Sequence, residues 1–168
     1  MLKEENDQTI EYLNSLPIKR NKIVESKYLC GLILIFAMVI IIGIFNYIGL
    51  LFSGEFDTKV YFLLAITPIF PSVVIYTLCM FLSTFTHKTK TRLGVSLGIV
   101  FVSYILNMLS TLDESIEFLK YVSIFTLADI RNIIQQASLQ MSLVLLTIII
   151  TIGLYILIQY RYNKKELL

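Results

Sequence analysis

Catalysis needs ionisable or nucleophilic side chains gathered at short spacing, and in this sequence they are scattered. The single histidine, His87, stands in a basic turn with Lys88, Lys90 and Arg92. Intramembrane metalloproteases cluster His and carboxylate ligands around zinc, so a lone His beside three positive charges reads as an interfacial residue. Cys30 and Cys79 lie inside apolar runs, with no metal-ligand spacing and no nearby histidine, which makes them small packing residues. A serine nucleophile needs a base partner, and none falls in the same apolar stretches. No G-x-x-x-x-G-K-[ST] loop is present, so the chain cannot cradle ATP phosphates by itself. These features argue against an enzyme, and no catalytic, cofactor-binding or metal-binding residue is assigned. The net charge of +2, without a basic stripe interleaved with aromatics, gives no ground for nucleic-acid binding.

The remaining candidates are polar or helix-breaking residues in apolar surroundings. Gly94 and Gly98 form a G-x-x-x-G pair, which serves either packing within the chain or contact with another subunit. Pro68 and Pro71 should kink the helix that holds them, as a fixed packing kink or as a moving gate. Asn46 and Asn107 can hydrogen-bond between helices, a contact worth about 0.6 kcal/mol on average in membranes; alternatively they touch a ligand. Tyr28, Tyr47, Tyr61, Tyr104 and Tyr160 lie near the ends of apolar runs, as interfacial anchors do. None of these identifies a substrate.

Those surroundings are four uncharged runs, residues 28–52, 60–86, 93–112 and 141–160. The shortest has 20 residues, and about 20 helical residues cross a hydrocarbon core roughly 30 Å thick. Helix is the required form, because a lone strand would leave its backbone unpaired in lipid. Composition agrees: 57% of residues are hydrophobic, 15% are charged and the mean hydropathy is +0.78. An ordinary soluble domain carries about 25% charge. The runs contain no Asp, Glu, Lys, Arg or His, which argues against proton relays and ion-coupled carriers, since these place ionisable groups at mid-membrane. The fold expected is all-α, a polytopic transmembrane bundle of about four spans in a lipid bilayer.

With residue 1 in the cytoplasm, 11 of the 14 Lys and Arg residues fall in inner segments, and only Lys59, Lys120 and Arg131 fall outside. This bias predicts a multi-pass cell-membrane protein with both termini cytoplasmic. Residues 1–7 are polar and acidic, so no cleavable signal peptide is expected. Residues 53–59 and 87–92 are tight turns, whereas the outer segment 113–140 is long. Within it Ile130, Ile133, Ile134 and Ala137 follow a helical stripe, and Ile116, Leu119 and Val122 suggest a shorter helix. Thr126 and Asp129 have capping-box spacing. Glu117, Lys120, Asp129 and Arg131 make a fifth crossing costly, so two short helices lying at, or dipping into, the outer surface are expected. Before the first span, Ile10, Leu13 and Leu16 have helical spacing, and Pro17 stops the pattern ahead of Lys19, Arg20 and Lys22. The chain thus divides into a cytoplasmic amphipathic segment, 1–27, and a transmembrane domain, 28–168.

The stretch Glu11-Tyr12-Leu13-Asn14-Ser15-Leu16-Pro17-Ile18-Lys19-Arg20, followed by Ile23-Val24 and Lys27-Tyr28-Leu29, resembles a cytoplasmic loop of ATP-binding-cassette exporter permeases of the second exporter type. Thr9 and Glu11 match that family's Thr-x-Glu element. Ser123-Ile124-Phe125-Thr126 with Asp129-Ile130 resembles its outer segment before the last span, and residues 161–166 resemble its basic C-terminal tail. The resemblance implies a short helix, parallel to the membrane, that fits a groove on a separate ATPase subunit. Ile10, Leu13 and Leu16 would form its apolar ridge, Glu11 with Lys19 or Arg20 its polar rim, and Pro17 its end; the other reading is a plain interfacial amphipathic helix. ATP and Mg would sit on the partner, not on this chain. The two outer helices would close the path from outside. The family has six spans, so the resemblance further implies that the other spans come from another polypeptide or that a front segment is missing, and a second permease copy is expected. Lys19 stands where the family often has a Ser or Thr helix cap.

The function expected is therefore a permease subunit that couples a partner's ATP hydrolysis to movement of a lipophilic or peptide-like solute between spans. The alternative is a non-transporting membrane scaffold or regulatory subunit.

Overall fold

The computed structural model describes residues 20–54, 56–85, 89–112, 123–128 and 140–164. Helix α1, Arg20–Ser53, has 34 residues and so measures about 51 Å at 1.5 Å per residue. That exceeds the thickness of the hydrocarbon core, and the apolar part, Val24–Phe52, leaves basic turns projecting at one end. The boundary expected at residues 27 and 28 falls within this single continuous helix. Gly54 follows α1 with φ 125°, a left-handed conformation that a side chain would oppose, so the chain can turn back at once. Asp57 then caps the next helix, accepting from the N–H groups of Lys59 at 2.9 Å and Val60 at 3.4 Å, a contact worth about 1 kcal/mol.

The second span consists of two helices, α2 (Thr58–Ile66) and α3 (Ile69–Ser83). They part at Thr67 and Pro68. Helix α4 is Thr89–Ser110, a 3-10 helix covers Ile124–Ala128, and α5 is Met141–Lys164. The four membrane spans are Val24–Phe52, Thr58–Ser83, Leu93–Ser110 and Met141–Arg161, each within a few residues of the runs expected. Among the described residues there is no strand. The chain is an all-α, multi-pass helical membrane protein.

Helix α3 is the hub, packed against α1, α4, α5 and the 3-10 helix, and it shares its largest interface with α5. Helix α4 touches α3 and the 3-10 helix. Interior and exterior are reversed relative to a water-soluble protein. The buried apolar side chains among the described residues are Val24, Pro71, Val74, Leu127 and Ile158, whereas Thr67, Thr77, Thr84, Ser103, Ser110, Ser123 and Thr147 are buried hydroxyls. Outward faces carry residues such as Ile33, Phe45 and Phe52, the last 88% exposed. Lipid tails are as apolar as these side chains, so nothing drives them inward, while a hydroxyl gains by finding a partner inside. Several hydroxyls bond their own preceding turn, as Thr77 Oγ1 does with the Val73 carbonyl and Thr147 Oγ1 with that of Leu143, both at 2.8 Å.

The amphipathic segment before α1 and the expected helices around 116–122 and 130–137 lie outside the described residues. Of the outer segment, the described part is the 3-10 helix.

Candidate functional site

At the basic end of the bundle, three helices are tied by aromatic and polar side chains. Tyr28 of α1 sits between Tyr76 of α3, with ring centroids 5.7 Å apart and nearly parallel, and Tyr155 of α5, at 4.8 Å. Tyr28 Oη and Thr77 Oγ1 are 3.0 Å apart. The Thr77 hydroxyl spends its proton on the Val73 carbonyl, so Tyr28 is the donor in this pair. Tyr76 Oη donates to the main-chain carbonyl of Lys27 at 3.0 Å. Gln159 Nε2 donates to Tyr155 Oη at 2.8 Å and reaches Glu25 Oε1 at 3.4 Å. Beside this layer Val24 and Ile158 are fully buried, with Met80 and Phe81 packed on them. The Arg161 guanidinium lies 3.7 Å above the Phe85 ring, a cation–π contact of about 0.5–1 kcal/mol where exposed.

Gly31 makes the layer possible, because a Cβ built on it would overlap the hydroxyl end of the Tyr76 ring. Tyr28, expected as an interfacial anchor, is instead an interhelical packing residue, since its ring finds two tyrosines and its hydroxyl a buried threonine. A signal for this site was present in the sequence: Thr147, Thr151, Tyr155 and Gln159 recur at every fourth residue of the last span, which puts them on one helical face. Thr151 Oγ1 is buried on that face with no hydrogen-bond partner among the described residues.

In the middle of the bundle the two prolines act differently. Pro71 is buried, and Thr67, whose carbonyl Pro71 cannot reach for lack of an N–H, receives the Phe70 N–H at 3.2 Å instead. Pro68 is exposed beside a groove of about 590 Å³ between α1 and α2, lined also by Gly43, Asn46, Gly49, Tyr61 and Leu64. Tyr61 Oη donates to the Gly43 carbonyl across this hairpin, and Tyr47, Phe56 and Phe62 gather around Tyr61. The Asn46 side chain lines the groove and makes no hydrogen bond among the described residues.

Towards the opposite end, the chain returns into the bundle. Ser123 Oγ donates to the Ser103 carbonyl at 2.8 Å, and Ser103 Oγ accepts the Ile124 N–H at 2.8 Å. Both serines are buried, and Leu127 is buried on the same 3-10 helix. Tyr104 meets Phe125 edge to face at 5.9 Å.

Of the residues singled out by sequence, Ile10, Glu11, Leu13, Leu16, Pro17 and Lys19 lie outside the described residues, and Arg20 opens α1. Among the described residues, nothing lies within 4 Å of a Cβ built on Gly94 or Gly98, so no described helix packs closely on that pair. The Asn107 side chain makes no hydrogen bond there either; its main-chain carbonyl accepts from Ser110 Oγ at 2.7 Å. The sequence missed Glu25, Gly31, Tyr76, Thr77, Tyr155, Gln159 and the Ser103–Ser123 pair.

No curated protein and no solved structure compared with the chain matches it. The family profile described as ABC-2 family transporter protein matches residues 1–162, a range that contains all four spans, the joined layer at the basic end and the returning 3-10 helix. The chain belongs to the ABC-2 family of transporter proteins.

Proposed function

We propose that the chain is the membrane-spanning permease subunit of an ATP-driven exporter, set in the cell membrane with both termini cytoplasmic. A separate ATPase subunit holds ATP and Mg, and the segment around Ile10, Glu11, Leu13 and Leu16 docks on it, with Lys19 and Arg20 at the rim. A second permease copy, or a protein that carries further spans, is its expected partner within the membrane. Beyond the family, one observation supports this reading most. The helix that continues from the docking segment is joined within its first turns in the membrane to two other spans, through Tyr28–Thr77, Tyr76–Lys27 and Tyr28–Tyr155. A push on α1 therefore moves α3 and α5 with it, rather than bending a lone helix. Movement of α3 acts in turn on the 3-10 helix packed against it, which closes the far side.

Co-purification tests the reading. Tagged chain drawn from native membranes is expected to bring an ATPase subunit with it. Recovery of the chain with no ATPase, under detergent conditions that keep other membrane complexes intact, would point to the scaffold role instead.

A further inference from the structure

We propose that the groove between α1 and α2 binds an amphiphilic solute that carries a hydrogen-bond donor, its polar group meeting Asn46 and the Leu64 carbonyl and its apolar body lying along the groove. This deepens the transport reading above and rests on it. The groove measures about 590 Å³, inside the roughly 300–1,000 Å³ range of small-molecule sites. Two independent features give it unmet polar capacity within a span. The Asn46 side chain lines it and makes no hydrogen bond among the described residues, although an amide carries two donor protons and an acceptor oxygen. Leu64 also lines it, and the residue four positions on is Pro68, which has no N–H to give the Leu64 carbonyl. Irregular backbone at membrane depth persists where it is covered by protein or lines a cavity that satisfies it; the freed carbonyls of interrupted spans hold cations in other transporters, and a neutral donor can answer such a carbonyl equally. Gly43 and Gly49 keep the wall open: a Cβ on Gly49 would meet nothing within 4 Å, and one on Gly43 only the Ala65 methyl at 3.9 Å. A bare hydrocarbon tail fills such a groove without answering its amide or its carbonyl. A solute with a donor answers both.

The chain contains no tryptophan, so Leu50→Trp places a single indole in the groove wall, excited at longer wavelength than the tyrosines. The full chain carrying this reporter is purified into phosphatidylcholine nanodiscs and titrated with 9,10-dibromostearamide, which has donor protons, and separately with methyl 9,10-dibromostearate, which has none. The amide is expected to quench saturably and the ester only in proportion to its partition into the bilayer. Adding Asn46→Leu should weaken the amide about fivefold, the value of one lost hydrogen bond. Gly49→Leu, which fits the open space, should abolish saturation. Equal quenching by amide and ester, or an amide curve unmoved by both Asn46→Leu and Gly49→Leu, overturns the proposal. So does saturable quenching in isolated chain that vanishes in native membranes, which assigns the groove to a helix of another chain. Failure here together with co-purification of an ATPase removes this site alone, whereas loss of the ATPase removes the transport reading.

Discussion

Ser103 holds the returning chain at Ser123 twice over: its carbonyl accepts from the Ser123 hydroxyl, and its own hydroxyl accepts the N–H of the next residue, Ile124, both at 2.8 Å. Ser103 stands about 10 Å short of the Ser110 end of α4 at 1.5 Å per residue. The chain after α4 therefore turns back into the bundle before α5 begins. A polar main chain at that depth needs every donor answered, and these two hydroxyls answer Ile124 and Phe125.

Ser103→Ala and Ser123→Ala should each destabilise the protein by about 1–2 kcal/mol, because each leaves a main-chain N–H of the 3-10 helix unpaired. Since both belong to one network, the double variant should cost less than the two together, with a coupling of at least about 0.5 kcal/mol. Unfolding in mixed micelles measures this. Strict additivity would show that the two serines do not act as a pair.

Gly31 and Gly153 make a matched test of the basic-end layer. Gly31→Ala drives a methyl into the Tyr76 ring, whereas a Cβ on Gly153 meets nothing within 4 Å. Overpacking costs about 1–3 kcal/mol, and opening α1 from α3 would also strain the Tyr76–Lys27 bond. Gly31→Ala is expected to lower thermal stability in detergent and Gly153→Ala to leave it unchanged or slightly raised. Equal behaviour of the two variants would show that α1 and α3 do not meet here.

Docking and transmission should separate by mutation. Leu16→Asp places a charge on the apolar ridge, and Glu11→Arg reverses the rim; each should release the ATPase subunit in a pull-down. Tyr28→Phe keeps the ring but removes the donor to Thr77, so it should leave the ATPase bound while lowering the response of its hydrolysis rate to transported solute. Retention of the ATPase by both docking variants would show that the segment is not the coupling element.

How far such a site can be read from sequence depends on the solvent. The four spans are legible because length and apolarity alone decide whether a helix can cross lipid. The break at Pro68 is equally legible, being a covalent property of one residue. The inward faces are harder to read. In a helix that is apolar all round, Ile33 in lipid and Val74 in the core have the same chemistry, and the choice between them is made by packing. Tyr28 illustrates the ambiguity: a tyrosine near a span end has the same local sequence whether it anchors at the surface or stacks between Tyr76 and Tyr155. Hydroxyls carry the missing information, since they are what a membrane bundle buries. The fourfold spacing of Thr147, Thr151, Tyr155 and Gln159 marks the α5 face that turns to the bundle, where Tyr155 and Gln159 meet Tyr28 and Glu25 of α1, and Ser103 marks where the outer chain returns.

Orientation supplies the last prediction, on which the docking model depends. In a background of Cys30→Ala and Cys79→Ala, single cysteines are introduced by Lys59→Cys, His87→Cys and Glu166→Cys. A membrane-impermeant maleimide should label Lys59→Cys on intact cells, and the other two only after permeabilisation. The reason is the charge bias: lysine and arginine next to a span resist translocation, and they concentrate beside residues 87–92 and in the tail. Labelling of His87→Cys and Glu166→Cys from opposite sides would break the count of four crossings. Labelling of both from outside would keep the count but put residues 1–27 beyond reach of a cytoplasmic ATPase, and no docking of Leu16 on such a partner would then be possible.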